Sequence, residues 1–198
     1  MSVKYVQWWR LPAFGPAVFF LLLCAAPASA QMSIGERIEQ CAACHGEGGN
    51  SVTERLPSLA GQPKFFLLNQ LFLMREGVRQ VEAMEPFVKD LTDADMEALA
   101  KHFAKLEPKR SEEAIDPALV QRGAELSVKL RCGSCHLPDM SGQAQMPRLA
   151  KQRIDYMIDA LKAFRDNTRS GADTLMSAAV YGVSDADLTA LAHYAASR

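Results

Sequence analysis

Several things are scarce in this sequence, and each scarcity removes a class of function. There is no basic surplus, since 22 Lys and Arg face 23 Asp and Glu over 198 residues. A nucleic-acid binder needs a basic stripe to release counterions from phosphates, so that class is excluded. No alternating apolar–polar run of strand length appears, which leaves little from which to build a sheet. Beyond residue 30 no cysteine stands alone: Cys41 pairs in sequence with Cys44, and Cys132 with Cys135. Long apolar runs are missing too. The best candidate, "LPAFGPAVFFLLLCAA", is interrupted by Pro12 and Pro16, whereas a membrane span needs about 20 apolar residues.

That apolar stretch has a different reading. Lys4 and Arg10 precede it and "ASA" closes it at Ala30, the basic, apolar and A-x-A pattern of a secretory signal peptide. Residues 1–30 are therefore expected to direct export and be cleaved; an uncleaved N-terminal anchor is the alternative. Cys24 follows the bulky Leu23, which argues against lipidation there. Without residues 1–30 the balance is 20 basic to 23 acidic residues, a formal charge of −3. Export also makes two disulfides one reading of the four remaining cysteines.

What is present is a duplication. "CAACH" (41–45) and "CGSCH" (132–136) lie 91 residues apart. "PSLAGQ" (57–62) returns as "PRLAKQ" (147–152), and "FFLLNQLFLMREGVR" (65–79) as "DYMIDALKAFRDNTR" (155–169). "LTDADMEALAKHF" (91–103) returns as "VSDADLTALAHYA" (183–195). Two units follow, 31–106 and 117–198, joined by the polar linker "EPKRSEEAID" (107–116). Each reads as helical. Asp116 followed by Pro117 opens a helix, and Ile154, Met157, Ile158, Leu161 and Phe164 make one apolar helical stripe. Thr92 with Asp95 and Ser184 with Asp187 cap the last helix of each unit. The fold class is all-α, in two small tandem domains. Units of about 80 residues bury little core, so each needs a filler.

The C-x-x-C-H strings supply one. Two thiols on one helical turn project to the same side and can form thioethers with the vinyl groups of a haem. The next residue then presents its imidazole to the iron. The motif is the signature of c-type haem attachment, and the histidine after each pair is what disulfides leave unexplained. Structural zinc usually brings two C-x-x-C pairs within about 20 residues, and a thioredoxin dithiol belongs beside a βαβ unit; neither pattern occurs. Two covalent haem c groups are expected, on Cys41, Cys44 and His45 and on Cys132, Cys135 and His136.

The sixth iron ligand must come from the opposite face. His102, His193 and methionines 32, 74, 84, 96, 140, 146, 157 and 176 are candidates. A ligand used in both units should recur, and this test is discriminating. Met74 aligns with Phe164, Met96 with Leu188, Met157 with Leu67 and Met140 with Gly49. Only Met84 meets a methionine, Met176. Each lies eight residues before its helix cap, and they follow His45 and His136 by 39 and 40 residues. Met84 and Met176 are the expected ligands; Met74, Met96 and Met157 read as core fillers. His/Met ligation raises the potential and closes both axial positions, leaving one-electron transfer rather than catalysis.

With those residues set out, the chain resembles the dihaem cytochromes c4 of the class I cytochrome c superfamily over essentially all of residues 31–198. The resemblance rests on "CAACHGEGGNS", "PSLAGQ", "QLFLMREGVR", "MEPFVKDLTDADMEALAKHF", "RGAELSVKLRCGSCH", "PRLAKQ", "ALKAFRDNTR" and "LMSAAV". It implies a periplasmic electron carrier, free or loosely membrane-attached, between a quinol-oxidising complex and a terminal oxidase. It also implies that the carbonyls of Pro57 and Pro147 accept from His45 and His136, and that Gly35 and Gly123 lie where the first and last helices of each domain cross. Leu137-Pro138 in place of Gly46-Glu47, and Lys151 in place of Gly61, depart from the first unit. A related family, the dihaem subunit of flavocytochrome c serving a sulfide dehydrogenase, is the alternative.

Overall fold

The computed structural model describes residues 32–198 except Ala172, together with Met1, Ser2, Lys4, Tyr5 and Gln7. The expected signal peptide and Cys24 lie outside the described residues. Among those described, the first half carries α1 (Ile34–His45), α2 (Lys64–Arg75), α3 (Glu85–Val88) and α4 (Asp93–Ala104). The second carries α5 (Pro117–Lys129), α6 (Gly133–His136), α7 (Ile154–Arg165), α8 (Thr174–Val180) and α9 (Asp185–Ser197). No strand forms among the described residues beyond an isolated bridge between Gln143 and Met146. Side-chain caps account for most helix starts. Ser33 and Glu36 make a reciprocal capping box on α1, and Thr92 and Asp95 make one on α4. Asp116 caps α5 with Pro117 inside it, and Ser184 caps α9.

Each half gathers its own core. In the first, Leu67, Val88, Leu91, Met96, Leu99 and Phe103 are buried together as α2 packs on α4. In the second, Ile154 and Met157 of α7 meet Ala192, Ala195 and Ala196 of α9, while Val180, Leu188 and Leu191 form a separate cluster. Helix α5 crosses α9 at Gly123, where a Cβ would stand 2.1 Å from the Ala190 carbonyl oxygen. Gly35 does not play the corresponding part. It is exposed, and the nearest atom to its Cβ position is Ser33 Oγ at 3.9 Å. The residue aligned with Gly123 is Met32, which precedes α1, so the first helix of that half starts too late to need a small residue at such a crossing.

The halves meet through a reciprocal clamp built from the repeated glutamines. Ser58 N–H donates to Gln152 Oε1 at 2.8 Å, and Gln152 Nε2 donates to the Ser58 carbonyl at 2.9 Å. Arg148 N–H donates to Gln62 Oε1 at 3.0 Å, and Gln62 Nε2 donates to the Arg148 carbonyl at 2.9 Å. A duplicated sequence has thus produced a seam in which equivalent residues make equivalent contacts. All four residues are buried, so each clamp replaces water on a peptide group that would otherwise be orphaned. Gln152→Leu is expected to cost about 2 kcal/mol or more by leaving the buried Ser58 N–H, Ser58 C=O and Arg153 N–H unpaired. Denaturant unfolding of the holoprotein measures this.

The linker is pinned at both ends. Asn50 donates to the Glu107 carbonyl and accepts from Lys109 N–H. Glu113 accepts from Ile154 and Asp155 N–H at 2.8 and 2.9 Å, capping α7, whose own N-cap residue Arg153 makes no side-chain cap bond. The second half copies the first half's backbone even where it lacks glycine. Leu137 has φ 67° where Gly46 has 85°, and Lys151 has φ 58° where Gly61 has 64°. A left-handed side-chain residue costs about 1–2 kcal/mol, of which glycine's extra freedom when unfolded returns part. Lys151→Gly is therefore expected to stabilise by about 1 kcal/mol, raising Tm by about 2–4 °C in thermal unfolding.

Candidate cofactor sites

Both C-x-x-C-H motifs end on helical turns, but differently. In the first half α1 carries all three residues through to His45; in the second α5 stops at Lys129 and the short α6 bears Cys135 and His136. Cys41 packs against the first core and Cys132 against the Val180–Leu188–Leu191 cluster, while Cys44 and Cys135 are exposed. Burial pushes the Cys41 and Cys132 thiols upward in pKa. That environment disfavours the thiolate at Cys41 and Cys132. Among the described residues no group of three or more His, Cys, Asp and Glu is placed to hold a metal ion.

The imidazoles are oriented as the resemblance implies. His45 Nδ1 lies 2.8 Å from the Pro57 carbonyl, and His136 Nδ1 lies 2.9 Å from the Pro147 carbonyl. A carbonyl only accepts, so Nδ1 carries the proton and Nε2 keeps its lone pair. Burial lowers both pKa values against the opposing pull of those carbonyl bonds, which favours the neutral, metal-binding ring. His136 Nε2 is buried and has no hydrogen-bond partner among the described residues.

A cavity of about 700 Å³ is lined by the cysteines and histidines of both motifs, by Met84 and by Met176. Met84 closes a 3₁₀ turn before α3 and leans on the first core; Met176 lies in α8 against the Val180 cluster. Met74, Met140, Met146 and Met157 also line the cavity, so lining alone does not select a ligand. His102 and His193 are not among the lining residues. His102 packs edge-on against Phe103, and His193 Nδ1 accepts from Asp116 N–H.

Two features that hold the methionine segments escaped the sequence reading. Arg75 Nη1 donates to the Leu91 carbonyl at 3.0 Å and to Asp93 at 2.7 Å. Arg165 does the same to the Val183 carbonyl and Asp185. Each arginine ties the end of a middle helix to the cap of the last helix, across the segment that carries the methionine. Their recurrence 90 residues apart in the duplicated segments was the available signal. The other feature is a volume exchange. A Cβ on Gly49 would stand 2.9 Å from the Phe103 ring, and where the second half has Met140 it has Ala195. Met140 is 2% exposed, and its carbonyl accepts from Leu149 and Ala150 as that of Gly49 accepts from Leu59 and Ala60. Met140 occupies the glycine's backbone position, with φ 60° against 71°, and Ala195 stands where the first half has Phe103.

Residues 31–102 match the family model described as Cytochrome C oxidase, cbb3-type, subunit III, and residues 120–197 match the model described as Cytochrome c. Cytochrome c4 of Pseudomonas aeruginosa is 34% identical over 165 residues, spanning 78% of this chain and 81% of that one. The chain belongs to the cytochrome c4 family. The crystal structure of reduced recombinant cytochrome c4 from Pseudomonas stutzeri superposes with a TM-score of 0.73 at 30% identity, covering 83% of this chain and 97% of that one. The thiosulfate dehydrogenase electron acceptor of Thiomonas intermedia is 31% identical over 188 residues, covering 89% of this chain and 86% of that one. The fold is that of class I cytochromes c, the cofactor is covalent haem c at both motifs, and the protein is a dihaem electron-transfer cytochrome. The free cysteines, the neutral imidazoles and the orphaned His136 Nε2 beside a large cavity all fit that group.

Proposed function

We propose that this cytochrome is an exported, periplasmic single-electron shuttle in which residues 31–106 and 117–198 form two domains, each holding one haem, joined by residues 107–116. His45 with Met84 and His136 with Met176 would hold the two irons, and the Pro57 and Pro147 carbonyls fix the tautomer and plane of each imidazole. Haem c supplies a one-electron iron couple. The protein's work is to hold the imidazoles, place the thioethers, keep water out and present both sites from one body. The observation that carries the reading is that both Nδ1–carbonyl bonds leave Nε2 free beside a cavity lined by the repeat-equivalent Met84 and Met176. Among the described residues no helix is long and apolar enough to cross a membrane.

The donor and acceptor under this reading are a quinol-oxidising complex and a terminal oxidase. A second reading, an electron acceptor working with a dehydrogenase, is favoured by the likeness to the Thiomonas protein. A redox titration of the holoprotein followed by optical and EPR spectroscopy tests the ligation. Two low-spin haems that bind no carbon monoxide when reduced are expected, and an open iron would overturn the shuttle reading. Co-elution of a dehydrogenase subunit with the native protein would decide for the second reading.

A further inference from the structure

Six arginines are neutralised by carboxylates: Arg37 by Asp95, Arg55 by Asp159, Arg75 by Asp93, Arg122 by Asp187, Arg153 by Asp155 and Arg165 by Asp185. Arg148 is the buried arginine that is not. It is 4% exposed, and no carboxylate among the described residues pairs with it. Nη1 donates to the Ala150 carbonyl and Nη2 to the Ala60 carbonyl of the other half at 2.8 Å, while Gln62 holds the backbone on both sides. Nε is buried without a partner among the described residues. Burial pulls the pKa down to about 10, so the group stays charged at neutral pH.

A buried guanidinium with one donor unmet and no counter-charge is costly, and its geometry is locked rather than free to seek water. Its residue lines the cavity that the two motifs share. The anionic groups that haem brings into such a cavity are its propionate carboxylates, and arginine is the side chain suited to pair with them. Arg148 directly follows Pro147, whose carbonyl orients His136. In the first half the corresponding residue is Ser58, uncharged, whose Oγ accepts from Ser51 N–H. Arg79 and Arg169 also line the cavity, but from equivalent positions of the repeat. They are common to the two halves, whereas Arg148 belongs to one.

We propose that Arg148 is a positioning residue that pairs with a propionate of the haem on Cys132 and Cys135, and that its charge raises the potential of that haem selectively. A fixed positive charge stabilises the reduced, less positive iron site. The inference rests on the dihaem reading with His/Met ligation.

The test is spectroelectrochemical titration of holoprotein carrying Arg148→Met or Arg148→Lys, with EPR, each wave being assigned from the Met84→Ala and Met176→Ala proteins. Arg148→Met is expected to lower the wave of the second haem by on the order of tenfold in the reduced-to-oxidised ratio at fixed potential, about 59 mV for one electron. The first haem should move less than a third as far, and both should stay low-spin. Arg148→Lys keeps the charge and should restore most of the shift, even if seam contacts are lost. Gln152→Leu, which loosens the seam and keeps Arg148, should leave both waves near their original positions. Equal shifts of both waves, no shift, or the same shift in Gln152→Leu would each overturn the assignment to Arg148. A parent protein without two low-spin haems would overturn the ligation reading instead.

Discussion

Met84→Ala and Met176→Ala are each expected to leave one low-spin haem and convert the other to a high-spin or misligated state. The thioether stabilises the reduced iron, so the affected haem should fall in potential by on the order of 100 mV or more, within the roughly 0.8 V that axial ligands span. The two variants should be complementary: the haem spared in one is the haem lost in the other. Met140→Ala is the discriminating control, because Met140 also lines the cavity and is more buried than either proposed ligand. Its carbonyl is committed to Leu149 and Ala150, on the side of the site that holds His136. Removing its side chain should cost about 2–3 kcal/mol in packing and leave both EPR signals low-spin. A high-spin signal in Met140→Ala would show that repeat alignment chose the wrong sulfur.

The reason alignment can choose at all is that the chain contains its own comparison. Local signals in the sequence were read correctly because their physics is local: Asp116-Pro117, the Thr92–Asp95 box and the α7 stripe each involve residues within a few turns. Met84 and Met176 stand out as a pair because duplication puts them in matching places, and the histidine–carbonyl bonds were legible because a family resemblance pointed to Pro57 and Pro147. What could not be read depends on which surfaces meet. Gln62 and Gln152 stand in the quoted repeat, yet their partners lie 86 and 94 residues away. Glu113 caps α7 from 41 residues upstream in what reads as a plain charged linker. Arg148 looks like a solvated side chain in "PRLAKQ" until the seam buries it. Gly35 was misplaced for a different reason: the family resemblance carried over to it a close crossing that only Gly123 in the second half makes.

That contrast sets up the largest stability effect expected here. Gly123→Ala would put a Cβ 2.1 Å from the Ala190 oxygen and 2.6 Å from Tyr194 Cβ. The obstacle is helix backbone, not the end of a flexible side chain, so relief requires α5 and α9 to separate. Helix α9 supplies Leu188, Leu191, Ala192 and Ala195 to the two clusters of the second half, and the last three of these also line the cavity. Separation therefore loosens the wall of the second haem site as well as the core. A loss of about 3 kcal/mol or more is expected, at the upper end for overpacking, with Tm falling by about 6–12 °C. The second haem should become the more readily misligated of the two on heating. Gly35→Ala, with open space at its Cβ, should instead gain up to about 1 kcal/mol from helix propensity. Thermal unfolding of both holoproteins, followed by far-UV circular dichroism and by the haem spectrum, gives the comparison. Equal, small changes at the two positions would mean that α5 and α9 can part at little cost, and that glycine at 123 is not what closes the second half.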